Sequence, residues 1–168
     1  VTGRARGWLV LAALAGTVHA FFSLYWAIGG DWLLETLGER IVTTFADMRW
    51  VLVPVGLVKL VAALAPLWLD RRGWPLRPLT RGLAWLGGAV LVVWGGLNTV
   101  VGQLVLAGAI RPDRGFDRPG MIGHAWLWDP LFLVWGLALL VHLAATRRRR
   151  GREGAGPVRV SDGTSRQR

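Results

Sequence analysis

Four long apolar blocks, separated by short polar stretches, organise this chain: Trp8 to Gly29, Trp50 to Leu69, Gly82 to Ile110, and Pro130 to Ala145. Each approaches the roughly 20 residues that a helix needs to cross about 30 Å of hydrocarbon. The third is longer than that. The fourth is short unless it takes in part of Gly123 to Trp128. The pattern predicts an all-α integral membrane four-helix bundle. One four-span domain covers residues 1–146, with spans at about 8–29, 50–69, 82–110 and 124–146. A basic tail over 147–168, rich in Gly, Ser and Arg and poor in apolar residues, is expected to be disordered.

The placement of charge orients these spans. Arg4 and Arg6 precede the first, Arg71, Arg72, Arg77 and Arg81 fill the loop between the second and third, and Arg147 to Arg150 with Arg152 come after the fourth. Because basic flanks stay on the cytoplasmic side, both termini are expected there, N-in and C-in, in a multi-pass protein of the cytoplasmic membrane. The other two loops mix signs: Asp31, Glu35, Glu39 and Asp47 with Arg40 and Arg49, then Asp113, Asp117 and Asp129 with Arg111, Arg114 and Arg118. Tryptophans fall near the expected boundaries, with Trp8, Trp68, Trp74 and Trp85 on the inner side and Trp26, Trp32, Trp50, Trp126 and Trp128 on the outer. Arg4, Arg6 and Val18-His19-Ala20 also fit a cleaved signal segment. The apolar run continues to Ile28, however, which favours a retained helix.

Composition narrows the function classes. The net charge of +10 lies beside hydrophobic spans, so the basic residues point to the bilayer and its anionic headgroups rather than to nucleic acid. A second copy of the chain or another membrane protein is the further partner class. The absence of cysteine removes disulfides, thiolate metal sites and thiol nucleophiles. No zinc-type motif occurs, and neither a metal nor a cofactor is expected. His19 and His142 could in principle ligate one haem, but their depths differ too much for a shared iron. His124 beside Asp113, Asp117 or Asp129 is weak evidence for a metal site.

Small residues predict the packing faces: Ala12, Gly16 and Ala20 on the first span, and Gly88, Gly95 and Gly102 with Ala84 and Thr99 on the third. The interior polar residues carry the functional interest. The single lysine, Lys59, sits about 14 Å from either interface, too deep to snorkel easily. No acidic residue lies within a span core to pair with it, and an unpaired buried ammonium is costly. Four explanations stay open: a neutral lysine, a water-filled cavity, a bound anionic ligand, or an outer-loop carboxylate dipping inward; the plainest is bundle glue solvated by carbonyls, water and polar neighbours. His19 lies at nearly the same depth, with Ser23 and Trp26 on its face. Asn98 on the third span is expected to complete a cluster of His19, Ser23, Lys59 and Asn98, with Trp26 and Asp129 contributing from the outer side. Asp129-Pro130 reads first as a helix start, aspartate capping and proline coming next. The alternative has Asp129 reaching inward.

Two segments, His19 with Leu24-Tyr25-Trp26-Ala27-Ile28-Gly29-Gly30-Asp31-Trp32 and Trp128-Asp129-Pro130-Leu131-Phe132-Leu133-Val134-Trp135-Gly136, together with the four-span layout, resemble a family of small bacterial membrane proteins known as domain of unknown function 3995. The resemblance covers most of Gly7 to Leu143. In that family an aspartate precedes a Tyr-Ser-Pro-Leu start to the last helix, whereas here Asp129 abuts Pro130. The resemblance implies the four-span fold and supplies no activity. The expected function is a non-enzymatic binding or accessory protein. A small oligomeric transporter or channel-like protein for an anionic substrate is the alternative. A lipid-modifying enzyme comes third, since no nucleophile–base pair is legible and no catalytic residue is assigned.

Overall fold

The computed structural model describes residues 3–153, with side chains as far as Arg147. In chain order the helices are α1 Gly3–Ala27, α2 Glu39–Thr44, α3 Leu52–Arg71, α4 Arg77–Leu106, α5 Arg118–Gly123 and α6 Asp129–Glu153. Tight 3-10 turns at Leu34–Leu37 and Ala46–Val51 fill the first long loop. Four segments are long and apolar enough to cross a membrane: Gly3–Ala27, Ala46–Arg71, Arg77–Leu106 and Arg118–Arg147. Most of the tail expected to be disordered, residues 154–168, lies outside the described residues.

The boundaries differ from the sequence pattern where backbone chemistry intervenes. The third span, which the apolar run carries to Ile110, ends at Leu106, and Gly108 turns the chain at φ 74°. The fourth starts earlier than its apolar run. A π-helical turn over His124–Trp128 joins α5 to α6 without a break, and Asp129 has helical φ and ψ. Asp129 is therefore inside a helix and not its cap, which corrects the Asp-Pro reading. The cause is Pro130, which lacks an N–H and whose ring would strike the Trp126 carbonyl in a regular α-helix. Widening by one residue to the π form accommodates both defects.

The long helices pack in the order α3, α1, α6, α4, each against the next. Small residues set these contacts as the sequence indicates. Gly16 lets α1 meet Ala63 of α3 and the Trp135 ring of α6, where a Cβ would stand 2.6 Å from the first and 2.7 Å from the second. Gly88, Gly95 and Gly102 face α6 and the turn before it. The two end members of the series, α3 and α4, barely touch although only residues 72–76 join them. The bundle is thus open on one side. Trp74, in the loop between α3 and α4, is a residue that indole preference would place at the interface. Its indole is buried in the cluster of Leu9, Leu143 and Trp135, and its N–H donates to Asp70 at 3.1 Å. Trp74 and Leu76 both take positive φ, 61° and 49°, a strained geometry for non-glycine residues that the buried indole stabilises. Trp26 and Trp128, also expected at an interface, are core residues too.

One end of the molecule, here called the arginine end, joins α1, α3, α4 and α6 through polar contacts. His142, fully buried, lies 2.8 Å from the Ala5 carbonyl and 3.2 Å from Asp70. Arg81 donates to the Leu143 carbonyl and to Thr146 while its guanidinium covers Trp74. The opposite, loop end is tied by Trp128 donating to Thr36 at 3.0 Å, and by Asp117 accepting from the Glu39 and Gly120 backbone N–H groups.

Candidate functional site

Lys59 projects from α3 onto α1, because Gly56, one turn earlier, brings α3 close to the Ala20 carbonyl of α1. Its amine lies 3.1 Å from His19 Nδ1 and donates to Ser23 Oγ at 3.0 Å. Ser23 in turn donates to the His19 carbonyl. The Phe132 ring of α6 lies 5.5 Å from the Lys59 nitrogen, close enough for a cation–π contact. Among the described residues no carboxylate pairs with Lys59. Three of the four expected cluster members therefore come together, on two helices.

The direction of these bonds determines what remains free. With the lysine amine as donor, His19 Nδ1 accepts and the ring N–H is on Nε2. That Nε2 is buried without a partner among the described residues, in a ring stacked on Phe132 at 3.9 Å and tilted against Trp128 at 5.7 Å. An unmet buried donor is costly, and its presence marks a place that an acceptor would stabilise.

Asn98 is not in this cluster. Its amide donates to the Trp94 carbonyl of its own helix, and α4 packs against α6, with little contact to α1 or α3. Depth alone would put it beside Lys59, and depth says nothing about which helices are neighbours. Asn98 instead lines a second polar group at the loop end, a cleft of about 330 Å³ shared with Asp117, His124 and Asp129. Trp26 also stands apart, its indole donating to the Trp32 carbonyl to close the end of α1. Asp129 is buried and bonded to His124 Nδ1 at 2.9 Å, while His124 Nε2 lies 3.3 Å from the Leu37 carbonyl.

Regular helical periodicity does not anticipate the His124–Asp129 pair. Residues five apart lie about 140° apart around a regular α-helix and do not meet. The π turn brings them to one face. The legible signal is His-x-x-x-x-Asp-Pro, a proline placed to force the bulge. Thr99, a packing residue by its sequence position, also has a buried hydroxyl without a partner among the described residues. No group of three or more His, Cys, Asp or Glu among the described residues is placed to hold a metal ion.

Four membrane-length helices around small-residue contacts and two polar groups describe a small helical protein suited to a multi-pass place in a bilayer. The sequence model of the family described as "Protein of unknown function (DUF3995)" matches residues 16–139, and the chain belongs to that family. Comparison with curated proteins and comparison with solved structures each return no match.

Proposed function

We propose that this chain is a non-enzymatic binding or accessory protein of the cytoplasmic membrane whose ligand presents an anionic or acceptor oxygen to Lys59 and His19. The observation that carries this reading is the pairing of a lysine that has no carboxylate partner with a buried histidine N–H that has no acceptor, both among the described residues. A cluster serving only as glue between α1 and α3 would be expected to satisfy its own donors. A small oligomeric transporter for the same anion is the second reading.

The test is native mass spectrometry of full-length protein released from membrane-derived nanodiscs. Wild type should carry a specific anionic small molecule that Lys59→Met lacks, with both proteins equally helical. Spectra in which wild type and Lys59→Met carry the same bound molecules would remove the binding reading and leave the cluster as a helix–helix contact. Uptake of the identified molecule into proteoliposomes would move the assignment to transport.

The N-in, C-in orientation belongs to the same reading. Its support is the gathering of Arg4, Arg6, Arg71, Arg72, Arg77 and Arg147 at one end of the helices. The chain has no cysteine, so single replacements report cleanly. In intact cells a membrane-impermeant maleimide should label Ile110→Cys and spare Leu76→Cys. The reverse pattern would invert the orientation.

A further inference from the structure

The opening between α3 and α4 is a slot of about 440 Å³. Ala62, Ala65 and Pro66 form one wall, Ala84 and Gly87 the other, and Trp135 of α6 the floor. Small side chains on two facing membrane helices ordinarily let the helices touch. Here α3 and α4 make almost no contact, so the small residues face each other across a gap. Nearly all of the lining is apolar. Along α4 the slot runs from Thr80 to Leu91, about 16 Å at 1.5 Å per residue. That matches one leaflet, about half of a 30 Å hydrocarbon layer. One turn beyond its polar end stand Arg77 on α4 and Arg72 at the end of α3, Arg72 exposed with its guanidinium 4.9 Å over the Trp68 ring, while Arg71 falls on the opposite face of α3. The nearby acidic side chain, Asp70, is turned inward to Trp74 and His142.

We infer that this slot is a binding site for one anionic phospholipid, its acyl chain lying between α3 and α4 and its phosphate held by Arg72 and Arg77. Slot length, apolar lining and a cationic mouth at headgroup depth together specify that chemistry. A slot of about 440 Å³ is far smaller than a transmembrane helix, and a zwitterionic lipid brings beside the same phosphate a cationic group that the arginines repel. The site is separate from Lys59, which faces α1, and requires only that α3 and α4 lie in a bilayer.

Full-length protein in nanodiscs of equal phosphatidylcholine and phosphatidylglycerol, released into a native mass spectrometer, supplies the test. Wild type should retain phosphatidylglycerol in preference. Gly87→Leu should reduce that population roughly tenfold by filling the slot, and its Cβ meets nothing within 4 Å, so the helix itself is not strained. Gly82→Leu, equally open and outside the slot, is the control. Arg72→Gln with Arg77→Gln should erase the headgroup preference. Val90→Phe, at an exposed wall position, repeats the test if Gly87→Leu loses helicity. Wild-type retention in folded Gly87→Leu or Val90→Phe, equal loss in Gly82→Leu, or equal retention of phosphatidylcholine would each overturn the site. None of these outcomes bears on the Lys59 ligand.

Discussion

Replacing Gly95 by leucine is expected to abolish folded protein. A Cβ at this position would stand 2.5 Å from the backbone nitrogen of Leu133 and 2.6 Å from the carbonyl oxygen of Asp129. Both are main-chain atoms of α6, so no rotamer change relieves the collision. The helices must separate, and with them the contact that carries α4, since α6 is the long helix against which α4 packs. Overpacking of a tight contact typically costs about 1–3 kcal/mol, and a backbone clash sits at or above the top of that range. In a bilayer, separation also forfeits the van der Waals packing that holds helices together. The internal control is the next residue. At Gly96 a Cβ would lie 3.6 Å from a flexible Leu133 methyl, an ordinary contact, and leucine there should be tolerated or slightly stabilising through helix propensity. Size-exclusion profiles and thermal midpoints in mild detergent separate the cases. A Gly95→Leu protein that elutes and melts like Gly96→Leu would refute the packing described for α4 and α6.

Asp129→Ala is expected to cost about 2 kcal/mol, within the range for losing a hydrogen bond to a charged group. The carboxylate is buried, whereas its partner His124 is over a third exposed and can recover some solvation. The loss extends beyond the pair. His124 also reaches the Leu37 carbonyl, and Trp128 in the same π turn donates to Thr36, so the turn clamps the first long loop onto the end of α6. Loosening that turn should raise proteolysis between Leu33 and Phe45 while leaving the far arginine end intact. A double-mutant cycle with His124→Gln is the clean measurement, and a coupling energy above about 1 kcal/mol is expected for groups in one network. Additive losses would mean that His124 and Asp129 act independently and that the π turn is held by Pro130 alone.

Particular residues show how far the sequence can be read. Lys59, His19 and Ser23 are legible as neighbours, because helical periodicity places His19 and Ser23 on one face and depth places Lys59 at their level. Asn98 defeats the same reasoning, since depth fixes one coordinate of a membrane residue and the order of the helices fixes the others. Asp129 reads as a cap from the local preference of Asp-Pro. Its true position inside a widened helix depends on whether the preceding segment, 118–128, is itself helical. Trp74 belongs at an interface by the preference of indole, yet the loop conformation turns it into the core.

The sequence by itself determined that this chain forms four membrane-length helices, which residues are small enough to be packing faces, and that the flanks at one end are basic while the loops at the other mix signs. Those properties are local or periodic, and each helix satisfies its own backbone hydrogen bonds in hydrocarbon without reference to its neighbours. The tertiary structure alone decided the order α3, α1, α6, α4, the slot between α3 and α4, and the pairing of His124 with Asp129. Side-chain volume and a single proline settle those features, and their effect exists only once helices meet.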